Sequence, residues 1–299
     1  MTNKKRKNPL VSVLLNCYNA QDTIYRAIDS VLKQTYKNIE LIVWDDGSKD
    51  KTIEIVKSFK DKRVKIFKNK SNIGLGKSRL KAIKKLNGDL ISIIDSDDYF
   101  EKEKIEKQVL IFHKNHKTSI CATWSKIFDE NHEKLYFFES SATSETLKNK
   151  LKFINIIPHS SIMYKKRIAK EVGWYSANLE YSQDYNLTLK LINKGEIFII
   201  KEFLTNIISG KNNMSNSKKM FETILKENIQ ILENNLKMFK NTRSDQKIIN
   251  SLKKLYLVRL NLIMIRKDFL KSLFNILKIF FSDPLIILKT NMIKVIKNN

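Results

Sequence analysis

Leu90-Ile91-Ser92-Ile93-Ile94-Asp95-Ser96-Asp97-Asp98 is a short uncharged run that delivers three carboxylates within four positions. Such a run reads as a buried strand. Side chains alternate faces along a strand, but beyond its end the backbone turns, so Asp95 and Asp97 can converge on one ligand. Carboxylates gathered in this way call for a cation. Hard divalent metals that share their shell with phosphate oxygens suit them. The same acids also suit the start of a helix that the pattern predicts from about Lys102, because Asp is a favoured N-cap residue.

Upstream, the same alternation repeats. Leu10 to Leu15 is a strand-like run, and the helical stripe Ile24, Ala27, Ile28, Val31, Leu32 follows it within Asp22 to Lys33. Ile39 to Trp44 predicts a second strand, ending at Asp45-Asp46-Gly47-Ser48, and Thr52, Ile53, Ile55, Val56 and Phe59 mark a second helix. Val64 to Phe67 is a third strand and Lys77 to Leu86 a third helix. Strands that alternate with helices at this pace predict a mainly parallel sheet covered on both faces. Ligands of such sheets bind beyond the carboxyl ends of the strands, where Asn16 to Ala20, Asp45 to Asp50 and Asp95 to Asp98 lie.

Downstream the pattern is less regular. A helix is expected over Glu101 to Asn115, strands over Ser119 to Phe128, Lys134 to Phe138, Ile154 to Tyr164 and Glu196 to Lys201, and a helix over Gln183 to Asn193. Gly, Asn and Ser cluster between Gly210 and Ser217 and suggest a boundary there. The expected division is 1–215, with halves 1–100 and 101–215, followed by a basic helical region over 216–299.

The chain's 299 residues carry 56 Lys and Arg against 31 Asp and Glu, a formal charge of +25. That charge favours anionic partners, although a composition rich in Lys, Asn and Ile also follows from an AT-rich genome. Cys17 and Cys121 stand in no zinc-ligand spacing and suit a reducing cytoplasm. The first residues lack the apolar core of a signal peptide, and no uncharged apolar stretch reaches the roughly 18 to 20 residues a membrane span needs.

Among the remaining segments, Asn72-Ile73-Gly74-Leu75-Gly76-Lys77-Ser78-Arg79 lies at a helix start, where free N–H groups and cations suit phosphate. It lacks the P-loop spacing. Asp184 falls in the first turn of its helix, complementing the helix dipole. His159 follows Pro158, and Trp174 follows Gly173; each suits either a site or a core.

Five segments in order resemble family 2 glycosyltransferases: Val11 to Asn19, Ala27-x-x-Ser30-Val31-x-x-Gln34-Thr35-Tyr36, Asp45 to Ser48, Asn72-x-Gly74-x-x-x-Ser78-Arg79, and Asp95-x-Asp97-Asp98. The resemblance covers roughly Leu10 to Asn206. It implies a GT-A fold, Rossmann-like with helices on both faces of a mainly parallel sheet, plus a helical C-terminal extension. It implies an inverting transfer from a nucleotide sugar, with a UDP-sugar preferred, to a hydroxyl of a glycan or lipid-linked glycan in surface polysaccharide, lipooligosaccharide or capsule assembly. The roles it implies are Asp184 as catalytic base; Asn19, Asp45, Asp46, Asn72, Gly74, Arg79, Asp95 and Ser96 at the nucleotide sugar; and Asp97 at Mn²⁺ or Mg²⁺. Asp98, His159, Trp174, Gln183 and Lys211 are implied contacts to acceptor or diphosphate. Gln183 stands where the family has Glu, and Ser209 to Asn213 lacks the family's histidine, which leaves Lys211 to offer positive charge.

Phe269 to Phe281 and Leu285 to Ile296 are apolar helical patterns punctuated by lysine, within a region of 17 basic against 6 acidic residues from Lys218 onward. Basic amphipathic helices bind anionic membranes, which suits a cytoplasmic protein at the inner face of the cell membrane. Packing on the catalytic body or in a homodimer would bury the same faces. The competing reading is a basic RNA-binding or membrane scaffold with a vestigial nucleotide pocket, but no RNA-recognition motif supports nucleic acid as a partner.

Overall fold

The computed structural model describes residues 8–209, 218–239, 242–264 and 269–282. The chain divides into two compact units, Met1–Ser144 with Ile157–Lys211, and Glu145–Ile156 with Asn212–Asn299.

The first unit begins with β1 (Val11–Cys17), α1 (Ile24–Leu32), β2 (Ile39–Asp45), α2 (Thr52–Ser58), β3 (Val64–Lys68), α3 (Leu75–Ala82) and β4 (Leu90–Asp95). These four strands are parallel in the order β3-β2-β1-β4, and every residue of β1 and β2 is buried. Continuous apolar runs form such strands because both faces are covered. Val11, Val13, Leu15 and Cys17 share one core with Ile24, Ala27, Ile28 and Val31 of α1. The predicted helical stripe is therefore the buried one.

Beyond β4 the sheet is mixed. Next come β5 (Tyr99–Phe100), α4 (Lys104–Lys114), β6 (Thr118–Asp129) and β7 (Lys134–Phe138). They are followed by β8 (Met163–Lys165), α6 (Lys166–Glu171), α7 (Gln183–Ile192) and β9 (Glu196–Ser209). α5 (Ser144–Leu151) lies between β7 and β8 in sequence. The order continues β4-β8-β6-β9-β5, with β8 antiparallel to both neighbours, β9 parallel to β6 and antiparallel to β5, and β7 paired to β6.

Two expectations differ from what is observed. Ile154 to Tyr164 is not one strand: a 3₁₀ turn over His159–Ser161 precedes β8. Pro158 supplies no backbone N–H to a ladder, and its carbonyl instead accepts from the Ser161 amide and hydroxyl at 3.0 and 2.7 Å. β9 continues past Lys201 to Ser209 because its second part pairs with both β6 and β5, across register shifts near Thr123 to Ser125.

In the second unit, α8 (Lys218–Met238), α9 (Arg243–Met264) and α10 (Phe269–Ser282) account for the helical patterns. Leu225, Leu232, Ile249, Leu252, Tyr256 and Phe153 form its core. The start of α9 carries a reciprocal cap: Thr242 N–H donates to Asp245 at 2.9 Å and Asp245 N–H to Thr242 Oγ1 at 3.1 Å. Phe274 and Leu277 of α10 are exposed. Among the described residues no helix is long and apolar enough to cross a membrane. The predicted segment Leu285 to Ile296 lies outside the described residues.

Candidate functional site

The carboxyl ends of β1, β2 and β4 lie side by side, with Asn16 in register between Trp44 and Asp95, and Cys17 opposite Asp45. Trp44 stacks on Phe67 of β3, with ring centroids 5.4 Å apart. Two acidic turns leave this edge.

The first follows β2. Asp45 is fully buried and accepts from the Ser48 amide at 3.0 Å and from the Ser48 hydroxyl, with Lys68 Nζ 3.7 Å away. Asp46, also buried, accepts from Asn69 Nδ2 at 2.8 Å, from the Ile73 amide at 3.0 Å and from the Gly74 amide at 2.9 Å. Gly47, at φ 80°, lies against the Ser71–Asn72 backbone, where a Cβ would stand 2.6 Å from the Ser71 carbonyl carbon. This turn is thus bolted to the segment before α3. Asn72 Oδ1 also accepts from the Gly74 amide, at 3.0 Å. On the β1 side, Asn19, at φ 48°, donates its amide to Ser48 Oγ and accepts from the Lys49 amide, both at 2.9 Å.

The second turn follows β4 and crowds its carboxylates together. Arg79 Nη2 reaches Asp95 Oδ1 at 3.1 Å, and the Asp95 amide donates to Ser160 Oγ at 3.1 Å. Burial, and then the charge of Asp95, pushes the Asp97 carboxyl up to about 6. Asp98 is buried and raised well above the carboxylate range by burial, Asp97 and Asp95, and it accepts from the Ile208 amide at 3.0 Å. Its carboxylate therefore points inward as a link to β9. Ser96 is half-buried between Asp95 and Asp97.

These carboxylates fit a divalent cation. Among the described residues no three His, Cys, Asp or Glu side chains are disposed to enclose a metal; Asp95 and Asp97 offer the hard oxygen donors such an ion takes. Mg²⁺ is commonly held in that way, by one or two carboxylates together with substrate phosphates.

A polar wall stands beside Asp95. The Arg79 guanidinium lies 5.7 Å from the Tyr175 ring centroid, and Tyr175 OH is 3.3 Å from His159 Nε2. Burial, then Arg79, holds His159 well below the usual histidine range, so its imidazole is neutral, and its Nδ1 is buried without a partner among the described residues. Asp184 is half-buried in the first turn of α7 and acts electrostatically on Tyr175. Gln183, beside it, is buried. Trp174 is half-buried in a left-handed turn, its carbonyl accepting from Lys190 at 3.2 Å. No contact joins Trp174 to the acids among those described. Lys211 lies outside the described residues.

The structure thus brings Arg79, Asp95, Asp97, His159 and Asp184 around one edge, while Asp45, Asp46, Asn19, Asn72 and Gly74 form its scaffold. It adds three residues that carry no motif. Arg26 of α1 donates from Nη2 to the Asp97 carbonyl at 2.9 Å, meets His132 Nε2 at 2.7 Å, and lies 4.8 Å from the Tyr99 ring centroid. Ser160 and Tyr175 fix Asp95 and Arg79 as described. Only long-range contacts define these roles, so local sequence held no signal for them.

The model of Glycosyl transferase family 2 matches residues 12–173, more than half of the chain. A UDP-Glc:alpha-D-GlcNAc-diphosphoundecaprenol beta-1,3-glucosyltransferase from Escherichia coli is 33% identical over 199 residues, covering 67% of this chain and 75% of that protein. An uncharacterized glycosyltransferase from Rickettsia typhi is 32% identical over 202 residues, 66% of this chain, and the chain spans only 63% of that relative's length. Among solved structures, S. aureus TarS 1-349 in complex with UDP superposes with a TM-score of 0.60 at 18% identity, over 90% of this chain and 88% of that one. The mannosyltransferase PcManGT from Pyrobaculum calidifontis, in complex with GDP-Man and Mn²⁺, gives 0.61 at 12% identity, over 96% and 80%. These likenesses place the mixed α/β sheet in the GT-A architecture. With the family model matching more than half of the chain and the Escherichia coli relative 33% identical over 67% of it, the chain belongs to glycosyl transferase family 2.

Proposed function

We propose that this protein transfers a sugar from a nucleotide sugar, a UDP-sugar in the first instance, to a hydroxyl of a glycan or lipid-linked glycan, with inversion at the anomeric carbon. The observation that carries the reading is the carboxylate turn after β4, where burial and the charge of Asp95 raise Asp97 to about 6 and Arg79 pairs with Asp95 at 3.1 Å. Crowded acids with raised pKa values mark a candidate functional site.

In this reading Asp97 would hold Mn²⁺ or Mg²⁺ at the diphosphate, while Asp95 would approach the ribose. When bound, the cation would supply Lewis-acid stabilisation of the leaving charge. Asn19, Asp46, Asn72, Gly74 and Ser96 shape the nucleoside pocket, with Asp45 setting its turn, and Arg79 flanks it. Lys211 adds positive charge at the diphosphate. Asp184 accepts the proton of the acceptor hydroxyl as its oxygen attacks the anomeric carbon. The bond to the diphosphate breaks on the opposite face, and the nucleoside diphosphate leaves with the electron pair. Base assistance of this kind is worth roughly 10²- to 10⁴-fold. Asp98, His159, Trp174 and Gln183 would serve contacts to the acceptor or the diphosphate.

The Escherichia coli relative is named for a diphosphoundecaprenol-linked substrate, which supports a lipid-linked acceptor here and a place in surface polysaccharide, lipooligosaccharide or capsule assembly. Exposed Phe274 and Leu277 beside Lys278 on α10 suit the headgroup region of an anionic membrane at its cytoplasmic face. The same face would serve a homodimer.

Calorimetric titration of UDP, GDP and CDP with and without Mn²⁺, on the wild type and on Asp97→Ala, tests the donor site. UDP binding that needs the metal and is lost in the variant is expected; absence of nucleotide binding would overturn the reading. Asp184→Asn should retain UDP binding and lose about 10²-fold or more in transfer.

A further inference from the structure

α3 meets the start of α7 at Gly76, where any side chain would have to displace the Gln183 amide. A Cβ on Gly76 would stand 1.9 Å from Gln183 Nε2, 3.0 Å from its Cδ and 3.0 Å from the Leu179 carbonyl oxygen. The volume of a side chain at 76 is filled by the Gln183 amide. That amide is anchored at one end, where Nε2 donates to the Leu179 carbonyl four residues earlier. The other end, Oε1, is buried and has no partner among the described residues, and Gln183 as a whole is 1% exposed. Burying an amide with one end unmatched opposes folding, and an apolar side chain would fill the space without that penalty. The polar choice points to a role beyond packing.

Both sides of this contact belong to the site. On one side, Asp46 holds the Ile73 and Gly74 amides at the entrance to α3, Ser78 Oγ accepts from Asn69 Nδ2 at 2.8 Å, and Arg79 reaches Asp95. On the other, Asp184 is the next residue after Gln183. A displacement of α7 by a fraction of an ångström moves Asp184 relative to Arg79 and Asp95 by a similar amount, and reaction rates are sensitive to misplacement of that size.

We infer that Gln183 is a positioning residue that seats the first turn of α7 on the glycine turn of α3 and so sets Asp184 against the nucleotide-sugar pocket. In this chain the seat pairs glycine at 76 with a neutral donor at 183, where the family has Glu. A carboxylate there has no hydrogen to offer the Leu179 carbonyl, and it would place a second negative charge next to Asp184. The inference rests on the proposed transfer reaction and names the element that aligns its two halves.

A double-mutant cycle tests it, with UDP affinity, kcat and the pH–rate profile measured on Gly76→Ala, Gln183→Ala and the pair. Each single variant is expected to lower kcat about tenfold while leaving the dissociation constant of UDP within about threefold. The pair should recover several-fold over Gly76→Ala, because removing the amide makes room for the new methyl; contacting residues are non-additive in this way. Gln183→Glu should raise the acidic limb of the pH–rate profile, since a neighbouring like charge raises a carboxyl pKa. That variant serves alone if Gly76→Ala does not fold. Transfer by the wild type with strictly additive variants, or an unmoved acidic limb in Gln183→Glu, would overturn the inference while leaving the reaction intact. A wild type that binds UDP but transfers to no hydroxyl, water included, would overturn the reaction and the inference with it.

Discussion

The two acidic turns at the sheet edge read almost alike in sequence, Asp45-Asp46-Gly47-Ser48 and Asp95-Ser96-Asp97-Asp98, yet the structure equips them in opposite ways. Asp45 and Asp46 are met by the Ser48, Ile73 and Gly74 amides, by Ser48 and Asn69, and by Lys68. Asp97 and Asp98 crowd each other and Asp95, and both are raised. A carboxylate that already has its donors builds the fold, whereas one held in place without enough of them is ready for a ligand. The difference lies in the partners, which sit 23 to 28 residues away for Asp46.

The contrast can be broken by mutation. The largest effect is expected from Asp97→Ala, which should weaken Mn²⁺-dependent UDP binding by about 100-fold, roughly 2.7 kcal/mol, in calorimetry. Asp46→Ala should leave the metal dependence of any residual binding in place but lower the unfolding free energy by about 2 kcal/mol in urea titrations, because it strips the acceptor from partly buried amides. If the two variants behaved alike, the division between scaffold and ligand turn would fall.

The pH response sharpens the same comparison. Asp97 is raised in the folded state above its unfolded value, so the folded protein binds the proton more tightly and metal-free stability declines as pH rises from about 4 through about 6. The melting temperature of metal-free protein should therefore increase between pH 7 and pH 5, and Asp97→Asn should flatten this rise while stabilising the protein at pH 7. Stabilisation by loss of a site residue is the usual mark of a strained functional group. The smallest effect belongs to Asn72→Ala. Its exposed side chain adds one bond to a Gly74 amide that Asp46 already holds, and a change below about 1 kcal/mol is expected.

Much of this was legible beforehand, for reasons that can be located. β1 to β4 and their helices follow from local periodicity, since strands buried on both faces are apolar throughout and α1 shows its buried stripe directly. The acidic turns followed from the same reading, because they terminate those strands. Beyond β4 the fold depends on partners distant in sequence. β5 is two residues long and exists through its pairing with Thr205 and Asn206, and the second part of β9 is set by β6 and β5. His159 falls within the strand expected over Ile154 to Tyr164 and instead enters a turn, where the Pro158 carbonyl accepts from Ser161. Arg26 was invisible as a site neighbour, because nothing in a helix sequence shows that its guanidinium reaches Asp97, His132 and Tyr99 together.

Trp44 stacks on Phe67 one residue before Asp45 and in the same cross-strand row as Asp95, and the chain has only two other tryptophans, Trp124 and Trp174. With those two replaced by phenylalanine, the indole becomes a solitary fluorophore buried under the edge where the donor is expected to dock. Its emission would report occupancy of that edge in real time, without labels and without knowledge of which sugar or acceptor the protein uses.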